Sequence, residues 1–461
     1  MSAARTPSTE AAAWASALRL EDVPAAVRDD AKLRILDIIG VSLAARDTEA
    51  ARAAREAALR LGGGTESRIW GFGDRSSAAS AALANGTQSH THDYDDTHNE
   101  SVVHVSAPIV TTALTLGEAV GADGATALAA AAAGAEMTCR IGSVANRDGI
   151  MHKRGYHPTG VCGTLGAAFT AGRLLGLAAE PMRHAVGSAG SFASGLMECF
   201  IDGTWSKRMH PGWAAHGGIA AAYLGAAGFT GPAGVIDGPK GLVASHIGGD
   251  GHDFASITAG LGERWSSVQT SFKPYPCGHV VHPFLDAVIA LHREGLRAEQ
   301  VARIECPTAP WMLPIMCEPR AVKLRPESDY HAKFSFYYCI AAALMAGRLG
   351  VEAFTEPAIA DTETLALAAR ITCIPDPTAP GTDRFKGWVR VETTDGRMLE
   401  RIVDDNWGSP ANPMTADDVR RKFHENAGLV FPKDRADAIE ETVDRFERLE
   451  RISALIDLLA D

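Results

Sequence analysis

The 461-residue chain lacks the motifs with which many enzymes hold phosphates or activate a serine. It contains no G-x-x-x-x-G-K-[ST] loop, no strand-borne G-x-G-x-x-G segment and no G-x-S-x-G elbow. Cations are also few, since 44 Lys and Arg stand against 56 Asp and Glu, and the formal net charge is -12. These absences argue against a phosphate-loop enzyme, an elbow-type hydrolase and a protein that binds nucleic acid or an anionic membrane.

Cysteines are present but are not spaced for a metal or a disulfide framework. The eight of them include no C-x-x-C pair, and no two lie closer than eleven residues. This spacing is typical of reduced, mostly buried thiols in a cytosolic protein. It argues against a zinc ribbon and against an iron–sulfur dehydratase.

The chain also lacks a long hydrophobic run. Its longest apolar stretch, 125–135, is alanine-rich and too short to cross a bilayer. The N-terminal residues contain no charged segment followed by an apolar one, and Glu10 is atypical of a transit peptide. We therefore expect a cytoplasmic protein.

What the chain does contain is the composition of a globular enzyme, with 46% apolar and 22% charged residues. Apolar positions recur at helical spacing up to about residue 260. Strand-like alternation in 301–306 and a hairpin signal at Asp395-Gly396, between 385–394 and 397–403, then appear among helices predicted at 280–294, 330–348 and 361–370. A capping box at Thr415 and Asp418 and a final helix near 448–459 follow.

These patterns predict a mostly α protein in which an α+β domain is inserted before the last helices. We place the large all-helical domain in residues 1–265 and the smaller α+β lid domain in residues 266–405. Residues 406–461 are predicted to return to the helical domain as its C-terminal helices.

The densest group of titratable residues lies between residues 90 and 104. It comprises His90, His92, Asp93, Asp95, Asp96, His98 and His104. The segment follows Asn85-Gly86, which we interpret as the end of a helix, and precedes a helix that we expect to start with Ser106 as cap and Pro108 in its first turn. Loops on a rigid scaffold often carry catalytic groups. Two simpler interpretations stay open: Asp95 and Asp96 cap helices, or the histidines and carboxylates hold a metal.

Three further segments place a titratable or cationic side chain among glycine, proline and aromatic residues. They are Gly155–Gly160 with His157, Gly203–Lys207 with Lys207, and Phe272–Cys277 with Lys273. A lysine held by aromatic and proline neighbours suits a fixed clamp for a carboxylate. Snorkelling of the lysines at a domain boundary, and a purely structural His157, are the simpler alternatives.

These segments, in this order, resemble the MmgE/PrpD family, which includes 2-methylcitrate dehydratase, cis-aconitate decarboxylase and iminodisuccinate epimerase. The likeness rests on Ala84-Asn85-Gly86, Asp93-Tyr94-Asp95-Asp96-Thr97, Tyr156 to Gly160, Lys207, Lys273 to His282, and Lys333-Phe334-Ser335. The resemblance implies a large helical domain, a smaller α+β lid and a homodimer. It also implies catalysis without a metal, an iron–sulfur cluster or another cofactor.

Matched motif by motif, the resemblance implies a set of site residues. The catalytic residues would be Asp93, Thr97, His104 and His157, and the substrate would contact Lys207, Lys273, His98, Tyr275 and His282. Six residues lie between Thr97 and His104, one more than in the decarboxylase pattern, and Val105 follows where that pattern often has proline. His98 is therefore an alternative to His104.

The chemistry of these groups suits proton removal next to a carboxylate, which requires a base and a cationic clamp. Our first hypothesis is a cofactor-independent lyase that dehydrates a di- or tricarboxylate of the 2-methylcitrate type. An epimerase or isomerase of an iminodisuccinate-like acid and a cis-aconitate-type decarboxylase are the alternatives. A metal-dependent hydrolase using His90, His92 and Asp96, and a binding protein without activity, are the hypotheses from other classes.

Overall fold

The computed structural model describes residues 6–248, 250–382 and 384–460, and it confirms the predicted class, a large helical region with a smaller α+β region. The helices of the first region are α1 (Pro7–Ala17), α2 (Ala25–Ala45), α3 (Glu49–Leu61), α4 (Ala78–His90), α5 (Ser106–Val120), α6 (Gly124–Ala145), α7 (Ile150–Lys153), α8 (Pro158–Leu174), α9 (Ala179–Ala189), α10 (Cys199–Asp202) and α11 (Ser206–Ala226). The short strands β1 (Ser67–Arg68) and β2 (Arg75–Ser76) pair with each other, and β3 (Thr97–His98) pairs with β4 (Thr270–Ser271).

The predicted helix end at Asn85-Gly86 is wrong, because α4 continues to His90. Tertiary contacts use both residues. The Asn85 side chain accepts a hydrogen bond from the Trp70 N–H at 2.9 Å and donates to the Arg68 carbonyl at 3.0 Å. A Cβ on Gly86 would lie 2.6 Å from the Cα of Gly212, so glycine is what allows α4 and α11 to approach.

Helix α5 differs from its prediction by one position at its start. Ser106 is the first helical residue and not the cap, which is Val105 and makes no side-chain bond. The Ser106 hydroxyl donates instead to the Asp96 carboxylate, and the Ser106 N–H donates to it at 2.9 Å. Asp96, which lies outside the helix, therefore accepts a hydrogen bond from a free backbone N–H group in the first turn of α5.

The α+β region contains a four-stranded sheet of order β6-β5-β7-β8, in which only the β5–β6 pair is parallel. Its strands are β5 (Val301–Thr308), β6 (Ile371–Pro375), β7 (Gly387–Thr393) and β8 (Met398–Val403), and its helices are α12 (His282–Arg293), α13 (Arg320–Lys323), α14 (Asp329–Lys333), α15 (Phe336–Ala346), α16 (Glu356–Ile359) and α17 (Thr362–Ala368). The predicted strand at 301–306 and the hairpin at Asp395-Gly396 are confirmed. Every second side chain of β7 is buried, as the alternating pattern requires.

The helix predicted over 330–348 is interrupted at Phe334–Ser335. Ser335 caps α15 by accepting a hydrogen bond from the Tyr338 N–H at 3.1 Å. The Lys333 carbonyl at the break accepts from the Gly278 N–H at 3.0 Å. The interruption therefore fixes Phe334 beside the segment that follows Lys273.

The C-terminal helices α18 (Ala416–Ala427), α19 (Lys433–Asp444) and α20 (Ser453–Ile456) pack against the first region. The capping box of α18 at Thr415 and Asp418 is confirmed, whereas the helix predicted at 448–459 is shorter, because a 3-10 turn replaces its end. Lys422 on α18 pairs with Asp37 on α2 at 2.7 Å and donates to the Tyr94 carbonyl at 2.8 Å. The C-terminal helices thereby support the loop that carries Asp93.

No described helix combines the length and apolarity needed to cross a bilayer. The described cysteines, all eight of them, have free thiols.

Candidate active site

A cavity of about 170 Å³ lies between the helical region and the α+β region. Both regions contribute side chains to it. The helical region contributes Asp93, Thr97, Val102, His104, His152 and Lys207, among others. The α+β region contributes His279, Val280, Trp311, Ile315, Met316, Phe334 and Phe385. One wall is therefore polar and titratable, and the other is mostly apolar.

Asp93 lies at the polar wall between two buried ammonium groups. One carboxylate oxygen accepts a hydrogen bond from Lys207 at 2.6 Å, and the other accepts from Lys273. Lys273 also donates to the Asp93 carbonyl at 2.9 Å. Burial by itself would raise the pKa of Asp93, but Lys207 and Lys273 outweigh burial and hold that pKa well below its ordinary value. The three groups form one ionised unit.

Three buried imidazoles, those of His90, His104 and His157, lie beside this unit, with ring centroids 4.5 to 5.8 Å apart. In each ring, Nδ1 has a partner within the protein. His90 Nδ1 lies 2.7 Å from the Asp95 carboxylate, and His157 Nδ1 lies 3.0 Å from His210 Nδ1. Burial lowers the pKa of all three imidazoles well below the ordinary value, and the nearby ammonium groups lower it further.

His104 is held as a neutral imidazole whose Nε2 has no hydrogen-bond partner among the described residues. Its Nδ1 lies 2.8 Å from the backbone carbonyl of Asp96. A carbonyl can only accept, so the proton of the neutral ring is on Nδ1. The Thr97 hydroxyl, 3.3 Å from the same nitrogen, contacts the ring at the cavity. This arrangement suits a group that takes a proton from the cavity side.

The turn 98–103 returns the chain so that His104 lies beside Thr97. The His98 N–H donates to the Val103 carbonyl at 2.8 Å, and Val102 has φ +51, which is rare for a β-branched residue. The His104 N–H then donates to the Thr159 hydroxyl at 2.9 Å. The turn accommodates the extra residue between Thr97 and His104 while His104 remains at the cavity.

His98 lies outside the cavity lining. Its Nδ1 is 2.8 Å from the Ser101 hydroxyl, and its ring borders a neighbouring polar cleft of about 720 Å³. Tyr275 and His282 also lie outside the lining: the Tyr275 hydroxyl donates to Asp286 at 2.7 Å, and His282 Nε2 is 3.4 Å from the Cys277 carbonyl. Contact of these three residues with substrate stays a prediction.

The cavity and its surroundings include residues that sequence reasoning did not place in the site. His152 and His279 line the cavity, and His210 supports His157. His279 follows Lys273 by six residues, and its place in the same motif could have indicated that it belongs to the site. Nothing in the local sequence around His210 indicates its contact with His157, which joins two helices.

The three clustered imidazoles are also the described group best able to hold a metal ion, since one nitrogen from each of His90, His104 and His157 falls within 4.8 Å of the others. His90 Nε2, however, lies 2.9 Å from the Lys207 ammonium, which takes its lone pair. The metal set expected from sequence is not assembled, because His92 Nε2 lies 3.1 Å from the Ala44 carbonyl and Asp96 pairs with Arg34. The geometry favours proton transfer over metal binding.

Comparison with known proteins identifies the family of the chain. The MmgE/PrpD N-terminal domain model matches residues 9–255, and the MmgE/PrpD C-terminal domain model matches residues 275–448. The cis-aconitate decarboxylase of Homo sapiens is 29% identical over 437 residues, which cover 93% of this chain and 89% of that protein. Those of Mus musculus and Aspergillus terreus are 27% and 26% identical, covering 93% and 97% of this chain and 88% and 94% of theirs. The similarity to these decarboxylases supports an enzyme of the lyase class. Because the two domain models together match far more than half of the chain, the protein belongs to the MmgE/PrpD family.

Proposed function

We propose that the protein is a carboxy-lyase that removes one carboxyl group, as carbon dioxide, from a small unsaturated tricarboxylic acid of the cis-aconitate type. The observation that carries this proposal is that the Lys207 ammonium, fixed by Asp93, and the neutral His104 imidazole line the same cavity. The curated relatives named above, which align over more than nine tenths of this chain, support the same reaction.

In the proposed reaction, the bond between the departing carboxyl carbon and its neighbour breaks, and its electron pair forms a new double bond. The electron pair of the original double bond takes a proton at its far carbon. Negative charge that develops towards the adjacent carboxylate is stabilised by Lys207, which supplies the positive charge without a cofactor. Lys273 assists Lys207 indirectly: it binds Asp93 and so fixes the carboxylate that holds Lys207 in place.

The proton in this scheme comes from His104. A bound polycarboxylate raises the pKa of the His104 imidazole, because nearby negative charge favours the imidazolium form. His104 therefore gains a proton on Nε2 as the substrate binds and delivers it to carbon. His157 and Thr97, both in contact with this group, orient the ring and the substrate.

Dehydration of a 2-methylcitrate-type acid is the second candidate, and one observation favours it. Elimination of water needs a base at the C–H bond and a hydrogen-bond donor at the leaving hydroxyl. His279 on the α+β wall gives the cavity a second imidazole across from His104. The same site could serve an epimerase of a related dicarboxylate, so all three reactions belong in one assay.

We also propose that the enzyme is a cytoplasmic homodimer. Three large apolar side chains are exposed near the cavity-lining residues Phe200 and Lys207 in the sequence, with Ile201 79%, Leu196 64% and Met209 44% accessible. A second copy of the chain is the partner that we propose for them. Light scattering coupled to gel filtration is expected to give twice the mass of 48.6 kDa. A monomer at micromolar concentration would contradict this proposal.

The test of function is incubation of the purified protein with cis-aconitate, 2-methylcitrate, citrate and iminodisuccinate in deuterated water. We expect release of carbon dioxide from cis-aconitate and one deuterium in the product. Lys207→Met should lower kcat/KM by at least about 100-fold, whereas Lys153→Met, an exposed lysine at the rim of the same cavity, should change it little. If none of the four acids loses carbon dioxide, loses water or exchanges hydrogen, the proposed function is wrong.

A further inference from the structure

We propose that Asn406 is a positioning residue that holds His279 as a neutral Nδ1–H hydrogen-bond donor for an oxygen atom of the substrate. The proposal rests on the proposed function, because it makes a side chain of the α+β wall of the same cavity the binding partner of an oxygen atom of the carboxylic acid. The two residues are 127 positions apart and meet behind the cavity.

The direction of the Asn406 carboxamide follows from its backbone neighbour. Its side-chain nitrogen lies 3.0 Å from the Trp407 carbonyl and 3.1 Å from His279 Nε2. The Trp407 carbonyl can only accept, so the atom facing it must be the NH₂ group and not the amide oxygen. The second hydrogen of that NH₂ group then points to His279.

This contact decides the tautomer of His279. Because Asn406 donates to Nε2, that nitrogen carries the lone pair, and the proton of the neutral ring must be on Nδ1. Burial lowers the pKa of His279 well below its ordinary value, and the charge of Lys273 lowers it further, so the ring is neutral at physiological pH.

His279 Nδ1 and the amide oxygen of Asn406 are both buried, and neither has a hydrogen-bond partner in the described structure. His279 is 6% exposed, and it lines the cavity. A buried N–H without a partner is costly, and such groups are rare unless a ligand completes them. A carboxylate or developing enolate oxygen of the substrate would supply the missing acceptor.

The ring is also held sterically. Phe385 and His282 pack against it in T-shaped contacts, with ring centroids 5.0 and 4.8 Å away. The backbone before it is fixed by the hydrogen bond from Gly278 to the Lys333 carbonyl. A donor that is fixed in direction before the substrate arrives loses little entropy on binding and stabilises charge that develops later.

The cavity lining therefore includes two imidazoles to which we assign opposite roles. His104 Nε2 accepts a hydrogen bond or a proton, and His279 Nδ1 donates a hydrogen bond. His279 is thereby assigned to oxygen recognition, and proton transfer to carbon is left to His104. The substrate class that fits is an acid with a carboxylate or carbonyl oxygen next to the α+β wall.

The tautomer can be measured without any substrate. Protein labelled with ¹⁵N-histidine is expected to show an Nδ1–H, Nε2-acceptor ring at pH 7.5 that disappears in His279→Gln. An Nε2–H tautomer or an imidazolium at this position in the unmodified protein would overturn the proposal. Because this result needs no turnover, it is independent of whether cis-aconitate is the substrate.

Asn406→Asp tests the link to catalysis. A carboxylate accepts from the ring, so the proton moves to Nε2 and Nδ1 no longer donates. We expect kcat to fall at least 10-fold at pH 7.5 and to recover in part as the pH is lowered, because the carboxylate favours the imidazolium, whose Nδ1 again carries a proton. Asn412→Asp, an exposed neighbour given the same change of charge, should leave both unchanged. An altered tautomer with an unchanged kcat would contradict the proposal.

A second pair of variants separates donation from folding. His279→Gln retains an N–H donor, whereas His279→Leu has none. We expect the glutamine variant to retain at least ten times the kcat of the leucine variant, with similar melting temperatures. Equal kcat values in the two variants would contradict the assignment of His279 as a donor.

Discussion

The carboxylate of Asp93 accepts a 2.6 Å hydrogen bond from the ammonium group of Lys207, which follows it by 114 residues. Lys273 binds the other carboxylate oxygen, so one buried anion lies between two buried cations. Asp93 also has φ +53, a conformation that costs free energy for a residue with a side chain. The surrounding protein must therefore hold Asp93 in place, and it does so through both lysines and through Lys422 at the next residue's carbonyl.

Asp93→Asn should destabilise the protein and nearly abolish activity. The change leaves Lys207 and Lys273 buried without their anion, a situation that typically costs about 3–5 kcal/mol. Urea unfolding should report this loss, and kcat/KM should fall at least about 100-fold. The control is Asp148→Asn, because Asp148 also has positive φ at the cavity rim but its side chain is 85% exposed. Equal unfolding free energies for the parent protein and Asp93→Asn would show that the ionised unit is not required.

His104→Gln and His98→Gln distinguish the two candidates for the proton-transfer residue. Only His104 lines the cavity, and it has a free Nε2. We expect His104→Gln to lower kcat by about 10² to 10⁴, the usual contribution of a general acid or base, and His98→Gln to lower it less than 5-fold. Steady-state kinetics on the identified acid makes the comparison. A larger loss in His98→Gln would transfer the assignment to His98.

Val102→Gly should relieve backbone strain and impair the site. Asp93, Val102 and Asp148 are the non-glycine residues with positive φ in the described chain, and all three line the same cavity. Glycine adopts this conformation freely, so we expect the free energy of unfolding to stay equal or to rise by up to about 1 kcal/mol.

The same variant should lose activity several-fold, because a looser turn positions His104 less well. Val120→Gly, at the exposed last residue of α5, should instead destabilise by about 0.5 kcal/mol and leave kcat/KM unchanged. Thermal unfolding and kinetics on both variants provide the measurement. Destabilisation of Val102→Gly by more than that of Val120→Gly would contradict the strain argument.

The free energy of unfolding should fall as the pH drops from about 6.5 to 4. Nine histidines in the described chain, eight of them buried and His152 half-buried, have lowered pKa values, among them His98 at about 4 and His92 at about 3. In this range the unfolded chain binds protons that the folded chain excludes, which costs up to about 3 kcal/mol for a group such as His98.

Five carboxyl groups with raised pKa values, including Asp95 and Asp286 at about 6, act in the opposite direction but are fewer. Urea unfolding at pH 7.5 and pH 5 measures the balance, and His98→Gln should reduce the difference. A protein that is equally stable or more stable at pH 5 would contradict this prediction.

The elements that could be predicted from sequence are those whose signal is local. Asp395-Gly396 lies in the three-residue loop 394–396 between β7 and β8, where Gly396 adopts φ +84, and Thr415 with Asp418 caps α18 within four residues. Asn85-Gly86 failed as a helix end because the glycine serves contact with Gly212 and the asparagine serves Trp70, neither of which local sequence reveals.

For the site too, the sequence predicted some residues and missed others. The sequence predicted four residues at or beside the site, because their motifs combine particular residue types with a particular spacing that resembles one family. These residues are Asp93, His104, Lys207 and Lys273. His210 and Asn406 were not predicted, because each acts through a partner on another element, and no spacing along the chain encodes that contact.

By itself, the sequence determined the helical and α+β composition, the family and the set of titratable groups available for chemistry. Only the tertiary structure decided that Lys207 and Lys273 share one carboxylate, that His104 and not His98 reaches the cavity, and which ring nitrogen of His279 carries the proton. The physical reason is that charge pairing, tautomer and burial are properties of atoms a few ångströms apart, and packing alone brings those atoms together from distant parts of the chain.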